Sequence, residues 1–351
     1  MKITYYTDIQ EIEINKDVSY LYFITEDINL EELRLLNNST FFGAIVPHLI
    51  VKENLYESGI LQVVFNNNEL IDFYILDMKK ASIPSFNDSS TLIILSDTLN
   101  EYFEPFIHTL NEKISTQKVF GSGVGSKQFI PIASLFDNKG CYEMHSLIIE
   151  ISLAIQIGVK HGWEAIYGPL VVTKSKNNII YELNNEPALD VYRKILKDLD
   201  GLELKEDNFF DITKAYPLGI LSYTQNEFII RDPLQIIDED AILMVSSIKE
   251  NETVYIMKGE HSNLIEAASL NTKNIVSNNP NNVYLLFDCI SRVLYMDKDF
   301  KKELKAVSSL VSEGTSLYGI TSIGEFTNNG FSEIKIFNKT NLIGNISHVS
   351  T

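Results

Sequence analysis

With 351 residues, of which 45% are hydrophobic and 22% charged, the chain is long enough for two domains and able to bury a substantial core. Its net charge of −18 argues against nucleic acid or an anionic membrane as partner, since either needs a basic face. No apolar run reaches the roughly 18–20 residues of a membrane span, and the start, Met1-Lys2-Ile3-Thr4-Tyr5-Tyr6-Thr7-Asp8, has no signal-peptide apolar region.

The two cysteines, Cys141 and Cys289, make neither a disulfide framework nor a Cys-x-x-Cys zinc site, and the six histidines are scattered. The expectation is a cytoplasmic protein without metal or cofactor.

In chain order, Ser19 to Ile24 reads as a buried strand, followed by a helix-length segment and Thr40-Phe41-Phe42-Gly43. Ile60 to Phe65 and Leu70 to Leu76 flank Asn66-Asn67-Asn68 and predict a hairpin. Thr91 to Leu95 opens a second strand–helix–strand unit. Its helix places Leu99, Phe103, Phe106, Ile107, Leu110 and Ile114 on one face, and Lys118-Val119-Phe120-Gly121 closes it.

The run Gly121-Ser122-Gly123-Val124-Gly125-Ser126-Lys127 lacks the spacing of a phosphate loop, because Ser126 precedes the lysine and Gln128 follows it. It predicts a tightly turning loop, or a pocket wall where the missing side chains let a ligand reach backbone amides. Gly121, Ser122 and Gly123 are the candidates there.

Further on, Gly158-Val159-Lys160-His161-Gly162-Trp163 leads into Gly168-Pro169 and an apolar strand, Leu170 to Thr173. That strand pairs in expectation with Ile179 to Leu183 around Lys176-Asn177-Asn178. A helix is expected after Asn185, with Pro187 in its first turn. Its buried face is Ala188, Val191, Tyr192, Ile195, Leu196 and Leu199, and its stop is Gly201. The polar stretch Lys205 to Asp211 with Pro217 marks a boundary near residue 215, dividing the chain into 1–215 and 216–351.

A third unit runs from Val283 to Phe287 through Phe300, Leu304, Val307 and Val311 to Ser316-Leu317-Tyr318-Gly319. A last hairpin is expected between Phe331–Phe337 and Leu342–Ile346. These elements predict an α/β (mixed α+β) fold: two lobes of mixed parallel and antiparallel sheets with outer helices, built from βαβ-plus-hairpin internal repeats.

Cys289 and Arg292 follow the carboxyl end of one expected parallel strand, and Glu325 follows another. Ligands of open α/β sheets favour that edge. An arginine grips a carboxylate bidentately and a glutamate accepts from an ammonium, so the two suit a zwitterion. An Arg292–Glu325 ion pair joining two loops is the structural alternative. Trp163 reads as core or lobe interface, or as an aromatic wall for a ligand. A second functional class is an enzyme acting on a small amide or amino-acid-like substrate, with Cys289 as nucleophile or Glu325 as acid/base.

The order of these segments also resembles a known family. The Gly162-Trp163, Gly168-Pro169, apolar strand, Pro187-Ala188-Leu189-Asp190-Val191-Tyr192 progression is similar to the N-terminal half of the FIST family of bacterial sensory input domains. Arg231-Asp232-Pro233, Cys289-Ile290-Ser291-Arg292, Gly319-Ile320-Thr321-Ser322-Ile323-Gly324-Glu325 and Asn338-Lys339-Thr340 resemble motifs of its C-terminal half. The resemblance implies a signal-input module without catalysis that binds a small ligand, an amino acid being the leading candidate. It adds Gly319 and Gly324 to the ligand-binding candidates. Output then lies in a partner protein or in a fused output domain.

Overall fold

The computed structural model describes residues 1–348 other than 37–38, 67, 81, 223–226, 239, 312–314, 316 and 329–332. Three apolar segments, each followed by helix and second strand, form parallel pairs. Ser19–Ile24 lies beside Phe41–Ile45, Thr91–Asp97 beside Lys118–Val124, and Val283–Cys289 beside Leu317–Ser322. The intervening helices bury the central part of the expected periodic faces, with Phe103, Phe106, Ile107 and Leu110 in the second unit and Phe300, Leu304 and Val307 in the third, while Leu99, Ile114 and Val311 lie beyond the helix ends.

Each first strand is flanked by an antiparallel neighbour: Ile60–Phe65, His145–Ile151 or Asn341–Ser347. Beyond these lie the edge strands Lys2–Tyr6, Leu70–Asp77 and Ala154–Lys160.

The second strand of each pair is flanked by a strand from elsewhere. After Phe41–Ile45 the chain crosses to place Leu49–Val51 on Leu317–Ser322. After Lys118–Val124 it places Leu135–Asp137 on Phe41–Ile45. After Leu317–Ser322 it places Glu325–Thr327 on Lys118–Val124. Three six-stranded sheets are thereby tied together by exchanged strands. Their inner faces share one core, where Phe287 stacks on Phe120 at 4.4 Å and meets Phe23 edge-on at 6.3 Å. Fully burying each such ring contributes roughly 1.5–3 kcal/mol.

The exchange explains two of the aromatic–glycine pairs of the sequence, Phe42-Gly43 and Phe120-Gly121. Gly43 and Gly121 stand opposite Phe136 and Phe326, the second residues of two exchanged strands. A Cβ at Gly121 would overlap the Phe326 ring, and one at Gly43 would come within 2.6 Å of Phe136. These glycines make room for a crossing aromatic side chain.

Two expected hairpins are not formed. Ile60–Phe65 and Leu70–Asp77 lie in different sheets, as do Lys335–Phe337 and Asn341–Ser347. Asn67 and residues 331–332, included in those expectations, fall outside the described residues. The turn residues between these strands carry the chain from one sheet to the next, and each strand takes its ladder from a buried strand of its own sheet. Ile60–Phe65, for example, pairs with Ser19–Ile24 along its whole length.

The third hairpin, between Glu164–Lys176 and Ile179–Leu183, is formed. It belongs to an eight-stranded sheet that also contains Thr253–Lys258 and Ala241–Met244, so strand pairing runs across residue 215. On this sheet packs the helix Ala188–Asp200, which buries Ala188, Leu189, Tyr192, Ile195 and Leu196 and leaves Leu199 44% exposed. Pro187 precedes the helix in an extended conformation, and Gly201 ends it in the left-handed region at φ 67. The fold is mixed α/β, with 22% helix and 42% strand. Among the described residues no helix is long and apolar enough to cross a membrane.

Candidate functional site

Gly324, at φ 88, turns the chain so that Glu325 opens an exchanged strand with its side chain inside the protein. Glu325 is fully buried. Ser322 Oγ donates to Oε1, while Thr340 donates to Oε2 from its backbone N–H at 3.2 Å and from Oγ1 at 2.6 Å. The Cys289 thiol is a further hydrogen-bonding neighbour of the same carboxyl group. Burial outweighs these donors and raises the Glu325 pKa to about 7, so this acid exchanges its proton near neutrality.

Cys289 ends the Val283–Cys289 strand, and its N–H donates to Thr340 O at 3.1 Å. Burial, then the charges of Glu325 and Asp232, push its thiol well up, although the N–H groups of Ser291 and Lys339 face the sulfur. The thiol is therefore a proton donor here, not a thiolate.

Behind this group lies a second pair. Lys339 Nζ stands 2.9 Å from Asp232 Oδ1, and both side chains are buried. The approach lies outside hydrogen-bonding angles. Neither oxygen of Asp232 nor Lys339 Nζ has a directed hydrogen-bond partner among the described residues, and the same holds for Asn338 Oδ1 and Trp163 Nε1. Buried polar atoms are nearly always partnered, so such a concentration requires an explanation. Trp163 itself is buried, with Lys339 Nζ 5.2 Å and Arg292 Cζ 5.4 Å from its ring.

Arg292 plays a different part from the one expected. Its Nε and Nη2 donate to Glu303 at 3.0 and 2.6 Å, Nη1 donates to His161 O and Lys339 O, and Nη2 also donates to Leu264 O. Every guanidinium N–H is used, and the side chain is fully buried. Arg292 thus holds four segments together and has no donor left for a ligand carboxylate. Nor does it pair with Glu325: its acids are Glu303 and Asp288, the latter at 3.2 Å. Burial, then the Glu303 charge, push the Asp288 pKa up, against the pull of Arg292.

The glycine candidates are also revised. Gly121, Ser122 and Gly123 belong to the buried strand Lys118–Val124 and form no loop. The Gly123 N–H is taken by Gly324 O at 2.7 Å, and Ser122 Oγ donates to Gly123 O. Their backbone is spent on the exchanged strand, because a crossing strand needs small residues opposite it. Gly319 lies within its strand opposite Ile50, three residues short of the strand end. The structure thus brings Ser122, Gly123, Gly324, Glu325 and Cys289 together, with Trp163 behind Lys339 and Gly319 apart.

Asp232, Lys339 and Thr340 were not among the expected site residues. Their segments, Arg231-Asp232-Pro233 and Asn338-Lys339-Thr340, stand out in the sequence as family-like motifs, but nothing local shows that their side chains meet. A surface pocket of about 400 Å³ between Glu53–Leu55 and Val293–Leu304 is lined by none of these residues, and the cluster itself is closed to solvent.

Among curated proteins none matches the chain. The FIST N domain family matches residues 25–186 and the FIST C domain family residues 188–328, which together take in Trp163, Asp232, Cys289 and Glu325 but not Lys339 and Thr340. The chain therefore belongs to the FIST family of sensory domains in signal transduction.

Proposed function

We propose that the chain is a signal-input module that binds a small ligand at the Glu325–Cys289–Thr340 cluster, with an amino acid as the leading candidate. It passes the signal to a partner protein or a fused output domain. The observation that carries this reading is the closed group of acid, thiol, amine and second acid, in which several buried atoms lack a directed hydrogen bond among the described residues. A ligand that fills those hydrogen bonds needs the surrounding segments to open and close again. That supplies the two states, of different ligand affinity, on which a sensor depends. Burial of Cys289 and its protonated thiol favour binding over nucleophilic catalysis.

The test is a thermal-shift screen of the purified chain against amino acids, small carboxylates, amines and nucleotides. A ligand at a hundred times its dissociation constant adds about 2.7 kcal/mol, and its effect should vanish in Glu325→Gln. A screen in which no class stabilises the protein would sink the reading. So would a thiol at Cys289 that alkylates rapidly at neutral pH.

A further inference from the structure

The three exchanged sheets allow positions within this one chain to be compared. Each exchanged strand meets its parallel pair at one equivalent place: Leu49 opposite Ile320, Leu135 opposite Ala44, and Glu325 opposite Ser122. Those three residues in turn stand beside Phe287, Phe23 and Leu95 of the first strands. One further step across the sheets, all three face a leucine: Leu342, Leu61 and Leu147. Leu49, Leu135 and Glu325 therefore hold the same topological position.

Two of the three are fully buried leucines of the shared core, and the third is a fully buried acid. Packing at this position is satisfied by leucine twice. An acid there costs desolvation and adds nothing that the exchange of strands requires.

The second, independent observation is the Asp232–Lys339 pair. The two are buried, 2.9 Å apart, and lack directed hydrogen bonds among the described residues, and the Asp232 charge acts on Cys289. Their charges cancel. A ligand with net charge would bring an uncompensated charge into buried surroundings, which costs several kcal/mol. A ligand without net charge, offering an N–H donor beside an oxygen acceptor, could complete both partners at once.

We infer that one of three equivalent core positions has become a recognition site, and that Asp232 and Lys339 work with Glu325 in it. The ligand is a small molecule without net charge that sets an N–H donor against Asp232 and an oxygen against Lys339 Nζ, as an amide or a zwitterion does. This rests on the ligand-binding reading above and adds the residues and the charge class.

The experiment uses four probes: free glycine as zwitterion, acetamide as neutral amide, and acetate and methylammonium as charged controls. Melting temperature and the emission of Trp163, the single tryptophan, are the readouts. The variants are Glu325→Leu and the double variant Asp232→Leu with Lys339→Met, which removes both charges together because a lone buried charge would unfold the protein.

Glycine or acetamide should stabilise the parent chain and shift the Trp163 emission, and which of the two succeeds assigns zwitterion or amide. Acetate and methylammonium should do neither. Both variants should fold and lose the response, and Glu325→Leu should melt above the parent. Stabilisation by a charged control, or by none of the four probes, overturns the inference, as does Glu325→Leu melting below the parent. A response that survives in the double variant but not in Glu325→Leu also overturns it and leaves the ligand-binding reading intact. If the broad screen is blank as well, both fall.

Discussion

Arg292 and Glu303 meet as a two-bonded ion pair inside the protein, at 3.0 and 2.6 Å, with neither side chain exposed. Glu303 comes from the helix Phe300–Ser308, so this pair pins that helix to the helix Ile290–Met296, which follows the Val283–Cys289 strand. Arg292→Met should cost about 3–5 kcal/mol, because it leaves Glu303 buried without its partner. Arg292→Lys should recover little, since an ammonium cannot replace five N–H groups in fixed directions. Denaturant unfolding of both variants measures this. A loss under about 1 kcal/mol would contradict the structural role.

Glu325 makes stability depend on pH in a direction opposite to most carboxylates. Its folded pKa is raised from 4.5 to about 7, so the folded state holds the proton more tightly than the unfolded chain. The contribution is fully present below pH 4.5 and is lost as pH rises through 7. The parent should lose roughly 3 kcal/mol relative to Glu325→Gln between those limits. Unfolding curves of the pair at pH 4.5 and 8 test the sign. A constant difference would show that Glu325 is ionised at both.

His48 and His161 act on the acid side. Burial, with Lys127 for His48 and Arg292 for His161, lowers their pKa values from 6.5 to about 4 and about 3. The folded state holds both neutral, so their contribution is complete above pH 6.5 and is lost as pH falls toward those values. His48, whose Nδ1 lies 3.0 Å from Thr321 Oγ1, is the simpler to replace. His48→Gln should flatten the stability profile between pH 6.5 and 4, read by denaturant midpoints, and an unchanged slope would remove His48 as its source.

The strand exchange makes a prediction at two neighbouring glycines. Gly121→Ala drives a methyl into the Phe326 ring, and Gly123→Ala drives one into the Ile323 carbonyl oxygen. Overpacking of this kind costs about 1–3 kcal/mol. Phe326→Leu should restore part of the stability of Gly121→Ala and none of that of Gly123→Ala, because only the first obstacle is a side chain. Equal rescue of both variants would contradict the geometry.

The sequence by itself determined the local elements: three strand–helix–strand units, the helix that ends at Gly201, and the hairpin around Asn177. The family was legible too, through the order of its motifs. These features follow from apolar periodicity, capping residues and the special conformations of glycine, all of which act within a few residues.

Only the tertiary structure decided which sheet each strand joins. A strand's pattern says which face it buries, but every sheet edge offers the same row of donors and acceptors, so Leu49–Val51, Leu135–Asp137 and Glu325–Thr327 could cross to other sheets without any local sign. Charge partners were undetermined for the same reason. Arg292 takes Glu303 and three backbone carbonyls, while Glu325 is left with Ser322, Cys289 and Thr340, and Asp232 finds Lys339 across a long stretch of chain. Charge and spacing mark residues able to pair, and burial in the folded chain selects the pairs that form.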